Sequence, residues 1–466
     1  MLQRKLTAIA VAIALGISTL AAPTLAAAND SSELEKIRAE VQELRKSYES
    51  RIQALEAKLQ ETGATAGRAE ETAQRAENAA AQAASPPAAA NAFNPETALI
   101  LQGAYKDQKD IQNRHLTGFL PTTEAPSNTR GFSIDASELS LAANIDSWLR
   151  GYANIAMVDG KAEVEEAYFQ TLGLGNGLTF KGGRFRSGIG YQNELHPHAW
   201  DFADNNLMYQ SLFGEGAIQE GVQVKWLAPT DLLVELGAEA GRGAEVNNAN
   251  FNGASSVNLF AHAGGDIGVS HAWRAGLSWM HAKVDERSFE GNDVAGVPVT
   301  GNFSGKSRIW IADFIYKWAP NGNTVRTNFK LQGEYFRRTE KGGLTCVDGV
   351  GSLCDTLGNT GAYKSSQSGW YLQGVYQFVP QWRAGLRYDQ LYRGNADWQG
   401  VDIGTVISEL SDYDPHRTTA MLDFNPSEFS RFRLQYAHDQ SMQNVTDNQL
   451  TLQYILSLGA HGAHRF

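Results

Sequence analysis

Across residues 97–466 the chain alternates apolar and polar residues with a period of two. Val325, Thr327, Phe329, Leu331 and Tyr335 take turns with Arg326, Asn328, Lys330, Gln332 and Glu334. Trp370, Leu372, Tyr376 and Phe378 do the same with Tyr371, Gln373 and Gln377, and Trp382, Ala384, Leu386 and Tyr388 with Arg383, Arg387 and Asp389. Successive side chains of an extended chain leave opposite faces, so the pattern predicts β-strands with one apolar and one polar face. A soluble sandwich alternates in the same way, and the connections separate the two cases. Tight turns are expected at Asp146-Ser147, Gly175-Asn176-Gly177, Ala228-Pro229-Thr230, Ser270-His271, Pro320-Asn321-Gly322, Pro380-Gln381 and Asn425-Pro426. Between them lie longer polar, glycine-rich segments at 106–130, 187–216, 284–305, 338–366 and 394–415, with a short connection only at 158–161. Tight turns at one end and long loops at the other describe an all-β, transmembrane antiparallel barrel. Hairpins on those turns, with one flanking strand at each side, give about 16 strands.

Residues 31–84 follow another rhythm. Leu34, Ile37, Val41, Leu44 and Tyr48 repeat at three- and four-residue steps, and Ile52, Leu55 and Leu59 continue after one extra four-residue step. Ala66, Ala69, Ala73, Ala76, Ala80 and Ala83 keep the seam with small side chains. So narrow a stripe predicts a self-associating α-helical coiled coil, and Leu beside Ile on the seam leans towards a homotrimer. A single amphipathic helix lying on its own barrel is the alternative. Residues 85–96, with Pro86, Pro87 and Pro95, read as a linker. At the start, Arg4 and Lys5 precede an apolar run over 6–20 and a small-residue stretch over 21–28. That is the layout of a secretory signal peptide, expected over residues 1–28. The last strand, with Leu450, Leu452, Tyr454, Leu456 and Leu458, leads to a terminal Phe466. This ending resembles the assembly signal of bacterial outer-membrane proteins, so the lipid of a Gram-negative outer membrane is the expected setting.

Composition narrows the picture further. No apolar run after the leader is long enough for a helical span. Yet 10% of residues are aromatic and 46 are glycine against 13 proline, which suits a wall whose apolar and polar faces average out. A net charge of −11 without a basic patch offers nothing to nucleic acid. Cys346 and Cys354 lie in one expected loop of an exported protein, so a disulfide is the favoured reading. A metal pair is disfavoured, because no histidine or further cysteine stands near them.

A barrel of this size holds water rather than a packed core. The alternation turns Arg150, Lys181, Lys225, Arg274 and Arg326 inward, and likewise Lys330, Arg383, Arg387, Arg431 and Arg433. Inward acids are Glu138, Glu235, Glu239, Glu334, Asp389 and Asp423. Bases modestly outnumber acids, so small anions are expected to be favoured, unless the charges only pair across strands. The 187–216 segment is long enough to fold inward and concentrates His196, His198, Asp201 and Asp204. Two imidazoles with two carboxylates can hold a divalent metal, zinc among them; a merely polar loop is the other reading. His461 and His464 form a second pair near the end. His262 and His281 stand singly, and no nucleophile–base pairing for catalysis stands out.

Four stretches carry a resemblance: HPHAWDFADNNLMYQ at 196–210, GVQVKWLAPTDLLVELGAEAGRG at 221–243, GGDIGVSHAWRAGLSW at 264–279 and LQYILSLGAHGAHRF at 452–466. They are similar to a proteobacterial family known as zinc-regulated outer-membrane porins, loosely also as TonB-dependent receptors. A coiled coil followed by a barrel, with GGRFRSGIG after the fifth expected strand, also resembles trimeric phosphate-selective and dicarboxylate porins. The resemblance implies an uptake channel for small hydrophilic solutes, expressed in response to zinc, with zinc as a ligand or cargo. A TonB-dependent receptor places a folded plug in a 22-stranded barrel. Here a coiled coil stands where the plug would be, so passive diffusion is the reading and a metal-uptake channel or plug-less receptor-like protein the alternative.

Overall fold

Eighteen strand segments join edge to edge into one sheet, every neighbouring pair antiparallel. The computed structural model describes residues 95–466 apart from 112, 121–128, 135–136, 159, 215, 244–252, 349–350 and 460–466. The chain divides into two units, Met1–Phe93 and Asn94–Phe466. In the first, Ala39, Gln42, Glu43, Lys46, Glu49 and Ser50 are described; they are helical and exposed. The expected signal peptide, the coiled-coil seam and residues 85–94 of the linker lie outside the described residues, as do His461, His464 and Phe466, whereas Glu96, placed at the linker's end, is already strand.

The second unit begins with β1 (Glu96–Asp107), β2 (Gly131–Ile134), β3 (Ser137–Asn144), β4 (Leu149–Val158), β5 (Lys161–Thr171) and β6 (Leu178–Arg186). After a long excursion come β7 (Ile218–Leu227), β8 (Leu233–Gly241) and β9 (Ser256–Ile267). Five long strands follow: β10 (His271–Asn292), β11 (Pro298–Trp318), β12 (Asn328–Asp348), β13 (Thr360–Val379) and β14 (Trp382–Trp398). The two-residue β15 (Val401–Asp402), then β16 (His416–Ser427), β17 (Ser430–Met442) and β18 (Val445–Gly459), complete the order. β2 and β3 both lie along β1 and form one stave, while β15 only folds back onto the top of β14. Sixteen staves therefore ring the barrel, and β18 pairs with β1 from Ala98↔Gly459 to Asp107↔Leu450 to close it. Closure leaves no free edge.

The wall is inside out. On β18, Gln449, Thr451 and Gln453 are buried while Leu450, Leu452 and Tyr454 stand exposed. On β14, Leu386 is 66% exposed and its neighbour Arg387 only 2%. A closed sheet that hides arginine and shows leucine is arranged for lipid outside and polar groups within. Trp226, Trp273, Trp318 and Trp382 end their strands beside the tight turns. Trp279, Trp310, Tyr335 and Trp370 neighbour one another across β10–β13, farther up the wall. From Trp310 to Trp318, or from Trp382 to Tyr392, a tilted strand covers roughly 20–25 Å, the height of a lipid-facing band.

Above that band the polarity reverses. Lys283, Glu290, Lys306 and Arg308 face outward and are exposed. Inward, Val284, Phe289, Val299, Phe303, Leu344, Tyr363 and Trp398 pack with Ile403, Val406, Ile407 and Leu410 from the 399–415 connection. This explains a correction: 284–305 and 338–366 are mostly strand, with true connections at 293–297 and 349–359. Their polar outer faces read as loop, although the alternation continues through them. The last tight turn is Glu428-Phe429 rather than Asn425-Pro426; the proline, lacking an N–H, sits in a register break of β16.

Cys346 and Cys354 are joined across the top of β12, 6.2 Å apart at Cα, beside the short helix Leu353–Leu357. A loop this short confers about 2–3 kcal/mol in the chain-entropy account. Cys354→Ser is expected to leave the barrel intact and to admit protease near 349–359. Limited proteolysis of the folded variant, beside the wild type with and without reductant, checks this.

Candidate functional site: a folded loop inside the barrel

The 187–217 excursion turns inward rather than away from the wall. Two short 3-10 turns, Gln192–Glu194 and Pro197–Ala199, lead to a helix at Leu207–Leu212, whose Asn206 cap accepts from the Tyr209 N–H at 2.9 Å. Strand residues receive the loop on every side. Glu239 of β8 accepts from the Ser187 hydroxyl (2.5 Å) and the Gly188 N–H (2.8 Å). Glu334 of β12 accepts from the Gln192 N–H (2.8 Å), the Tyr209 hydroxyl (3.0 Å) and Tyr371 (2.7 Å). Leu207, Met208, Leu212 and Phe213 pack with Ile189, Phe260, Met280, Ile309, Ile311 and Phe336, a dry cluster inside the wall.

Gly190 shows how tight the seat is. Its φ of +66° suits glycine, and a Cβ there would meet the Tyr209 hydroxyl at 2.3 Å and Glu334 at 2.6 Å. Gly190→Ala is expected to cost on the order of 1–3 kcal/mol, read as an earlier thermal transition of the detergent-solubilised barrel.

The strongest grip is electrostatic and lies on β12–β17. Asp201 pairs with Lys330 and Arg383 (3.3 Å) and accepts from Gln373 (3.1 Å). Asp204 pairs with Arg387 and Arg417, both at 2.9 Å, and accepts from Gln435 at 2.9 Å. Arg433 donates to the Trp200 carbonyl (3.0 Å) and to Asp423 (2.8 Å), and Arg431 to the His198 and Trp200 carbonyls (3.4 and 3.3 Å). Burial would raise the Asp201 carboxyl, but Lys330 and Arg383 outweigh it and hold it at about 2. Asp204 is likewise held far down, its burial overcome by Arg417 and Arg387. On the far side, β3 and β5 offer Glu138, Glu165 and Glu166 to His196. The loop thus spans a bore with one wall rich in arginine and the other rich in glutamate.

Beneath the loop, towards the tight turns, opens a cavity of about 840 Å³. Arg274, Lys317, Lys330, Arg383 and Arg431 line it against Glu194, Asp201 and Glu428.

Of the expected channel residues, Lys330, Arg383, Arg387, Arg431 and Arg433 all face inward and are engaged with the loop or with wall carboxylates. Lys225 pairs with Glu235 at 2.9 Å, and Arg274 with Glu194. Lys181 lies over the Tyr168 ring at 4.3 Å, and Arg150 pairs with Glu96 at 2.6 Å near the tight-turn end. Arg326 is a correction: β12 begins only at Asn328, and Arg326 stands exposed in the 319–327 connection. Glu138, Glu239, Glu334, Asp389 and Asp423 are buried inside as expected. The quartet His196, His198, Asp201 and Asp204 is a second correction, since the two aspartates turn to cations while both histidines turn to glutamates. Sequence spacing in a loop does not reveal which wall each side chain meets. Arg417, Lys317, Arg186, Glu165 and Glu166 escaped notice. The first lay within an alternating strand, and the adjacent pair Glu165-Glu166 interrupts the alternation, which marks a bulge.

No family profile matches the sequence. A protein of Aquifex aeolicus described as uncharacterised is 30% identical over 407 residues, covering 82% of this chain and 81% of that protein. Among solved structures, OmpT of Vibrio cholerae aligns over 78% of this chain and 99% of its own, at 12% identity and a TM-score of 0.47. The outer membrane channel DcaP of Acinetobacter baumannii aligns over 78% and 96%, at 13% identity and 0.45. An anion-selective porin from Comamonas acidovorans aligns over 78% and 99%, at 10% identity and 0.42.

Proposed function

As a chain that belongs to one family with the Aquifex aeolicus protein, this protein is, we propose, an outer-membrane porin for passive diffusion of small hydrophilic solutes, biased towards anions. The observation that carries the reading is the inside-out wall: leucine, tyrosine and tryptophan outside, arginine, glutamate and glutamine within a closed ring. Such a ring is soluble only in lipid, and its wet interior is an aqueous route across it. The anion bias is supported by the cavity under the loop, where five cationic side chains face three carboxylates. An excess of fixed positive charge lowers the barrier for anions. Sixteen staves and the absence of a separate plug domain among the described residues favour diffusion over an energised receptor. The homotrimer expected from the coiled-coil seam belongs to the same proposal.

Because the loop and its apolar packing occupy much of the bore, conductance should be small for a barrel of this circumference. In planar bilayers with a salt gradient, the reversal potential should report chloride as the preferred ion. Lys317→Glu with Arg431→Glu should move that potential towards cation preference. A cation-selective wild type would remove the anion bias, and detergent-free solubility would remove the channel.

A further inference from the structure

The side of the loop away from the arginines ends in a cluster that diffusion does not use. Glu138 of β3, Glu165 and Glu166 of β5, and His196 and His198 of the loop converge inside the wall. His196 Nδ1 lies 3.2 Å from Glu138 and 3.1 Å from Glu165, and its Nε2 lies 2.9 Å from Glu166. His198 Nδ1 lies 2.8 Å from the other oxygen of Glu138. Ligand atoms of Glu138, Glu165 and His196 fall within 4.8 Å of one another.

Three observations make this more than a salt-bridge knot. Adjacent residues of a regular strand point to opposite faces, yet Glu165 and Glu166 are both buried, at a register shift opposite Asn154 and Ile155. A bulge that re-aims a side chain is a feature of functional sites. The second is charge. In direct contact with the three carboxylates stands one guanidinium, that of Arg186, 3.1 Å from Glu165. Three buried carboxylates thus meet a single guanidinium, an excess that falls to the two imidazoles between them. Side-chain exposures of 0%, 10% and 8% for Glu138, Glu165 and Glu166 make that excess costly. The third is an orphan oxygen. Asn154, fully buried on β4, donates its amide to Glu138 at 2.9 Å, which fixes its own Oδ1 beside the cluster without a hydrogen-bond partner.

We propose that these side chains form a binding site for one divalent transition-metal ion, with Glu138, Glu165 and His196 as ligands and Glu166, His198 and Asn154 around them. Imidazole nitrogen with carboxylate oxygen suits zinc or manganese, whereas calcium prefers oxygen alone. The ion would neutralise the excess charge and fasten the loop to the β3–β5 wall, opposite its arginine anchors. This differs from a site on Asp201 and Asp204, and it stands independently of what the channel conducts.

The test is calorimetric titration of the full-length, chelator-stripped protein in detergent with zinc or manganese chloride alone. One saturating ion per chain is expected, bound at least tenfold more weakly by Glu165→Gln and by His196→Gln. His461→Ala with His464→Ala should leave that affinity unchanged. Heat-dependent gel mobility verifies that each variant is folded. X-ray absorption of the zinc-loaded wild type, which needs no variant, should show mixed nitrogen and oxygen ligands with imidazole scattering. Absence of saturable binding, unaltered affinity in both cluster variants, or an all-oxygen shell would each overturn the site and leave a protonated His196 bridging three carboxylates.

Discussion

Asp204→Ala, combined with Asp201→Ala, is expected to raise single-channel conductance several-fold and to lower the thermal stability of the barrel. The two carboxylates are where the inward loop meets the arginine wall. Asp204 is shared by Arg387 and Arg417, whose side chains are only 2% and 3% exposed. Removing the acid takes the loop's carboxylate from two buried guanidinium groups, which keep Asp389 on the wall, so the cost stays below the roughly 3–5 kcal/mol of a fully broken buried pair. The loop can recover part of that by swinging away, since water would then solvate the arginines. The bore widens where Trp200 and Phe202 now lie. The same latch predicts an acid dependence. Both carboxyls sit below the unfolded range near 4, Asp201 at about 2. Their contribution is therefore complete above that range and fades as the pH falls towards 2. Conductance recorded down an acid series should climb in the wild type and stay flat in the double variant. A variant with unaltered conductance at neutral pH would mean that the aspartates do not hold the loop across the conducting path.

Leu386→Arg should impair assembly more than any charge change inside the bore. Leu386 is 66% exposed on the outer face of β14, between the aromatic ends Trp382 and Tyr392. An arginine at the midplane of a lipid-facing strand costs about 2–4 kcal/mol. Arg387, one residue on, points the opposite way and is paired with Asp204 and Asp389. Refolding yield into lipid vesicles should fall sharply for Leu386→Arg and little for Leu386→Ala. Equal yields would contradict the orientation of the wall.

Most of the barrel was legible because alternation and turn chemistry are local. Gly175-Asn176-Gly177 and Pro380-Gln381 announce their turns through backbone preference alone, and the number of staves follows from counting them. The upper walls of β10–β13 were misread where the solvent changes along one strand. Phe289 and Phe303 face inward above the lipid, whereas Leu277 and Trp310 face outward within it. Two-faced periodicity has no mark for that exchange of solvent. The interior was harder still. That 187–216 could fold inward was readable from its length, but its contacts reach residues as far as 142 and 232 positions away, as in Gln192 with Glu334 and Ala203 with Gln435. Which carboxylate meets which cation there is decided by the closed wall, not by any neighbour in sequence.

The ring closes on the two strands that lie farthest apart along this domain. Ten backbone positions of β1 wait for partners in β18, and the pairing runs from Ala98 with Gly459 to Asp107 with Leu450. Loop-closure entropy makes such distant contacts among the slowest to form. One edge of β1, whose other edge is held by β2 and β3, therefore remains unpaired until β18 is in place. Shortening the chain within β18 should abolish assembly outright rather than yield a smaller pore, so maturation of this wall is an all-or-none event timed by the arrival of β18.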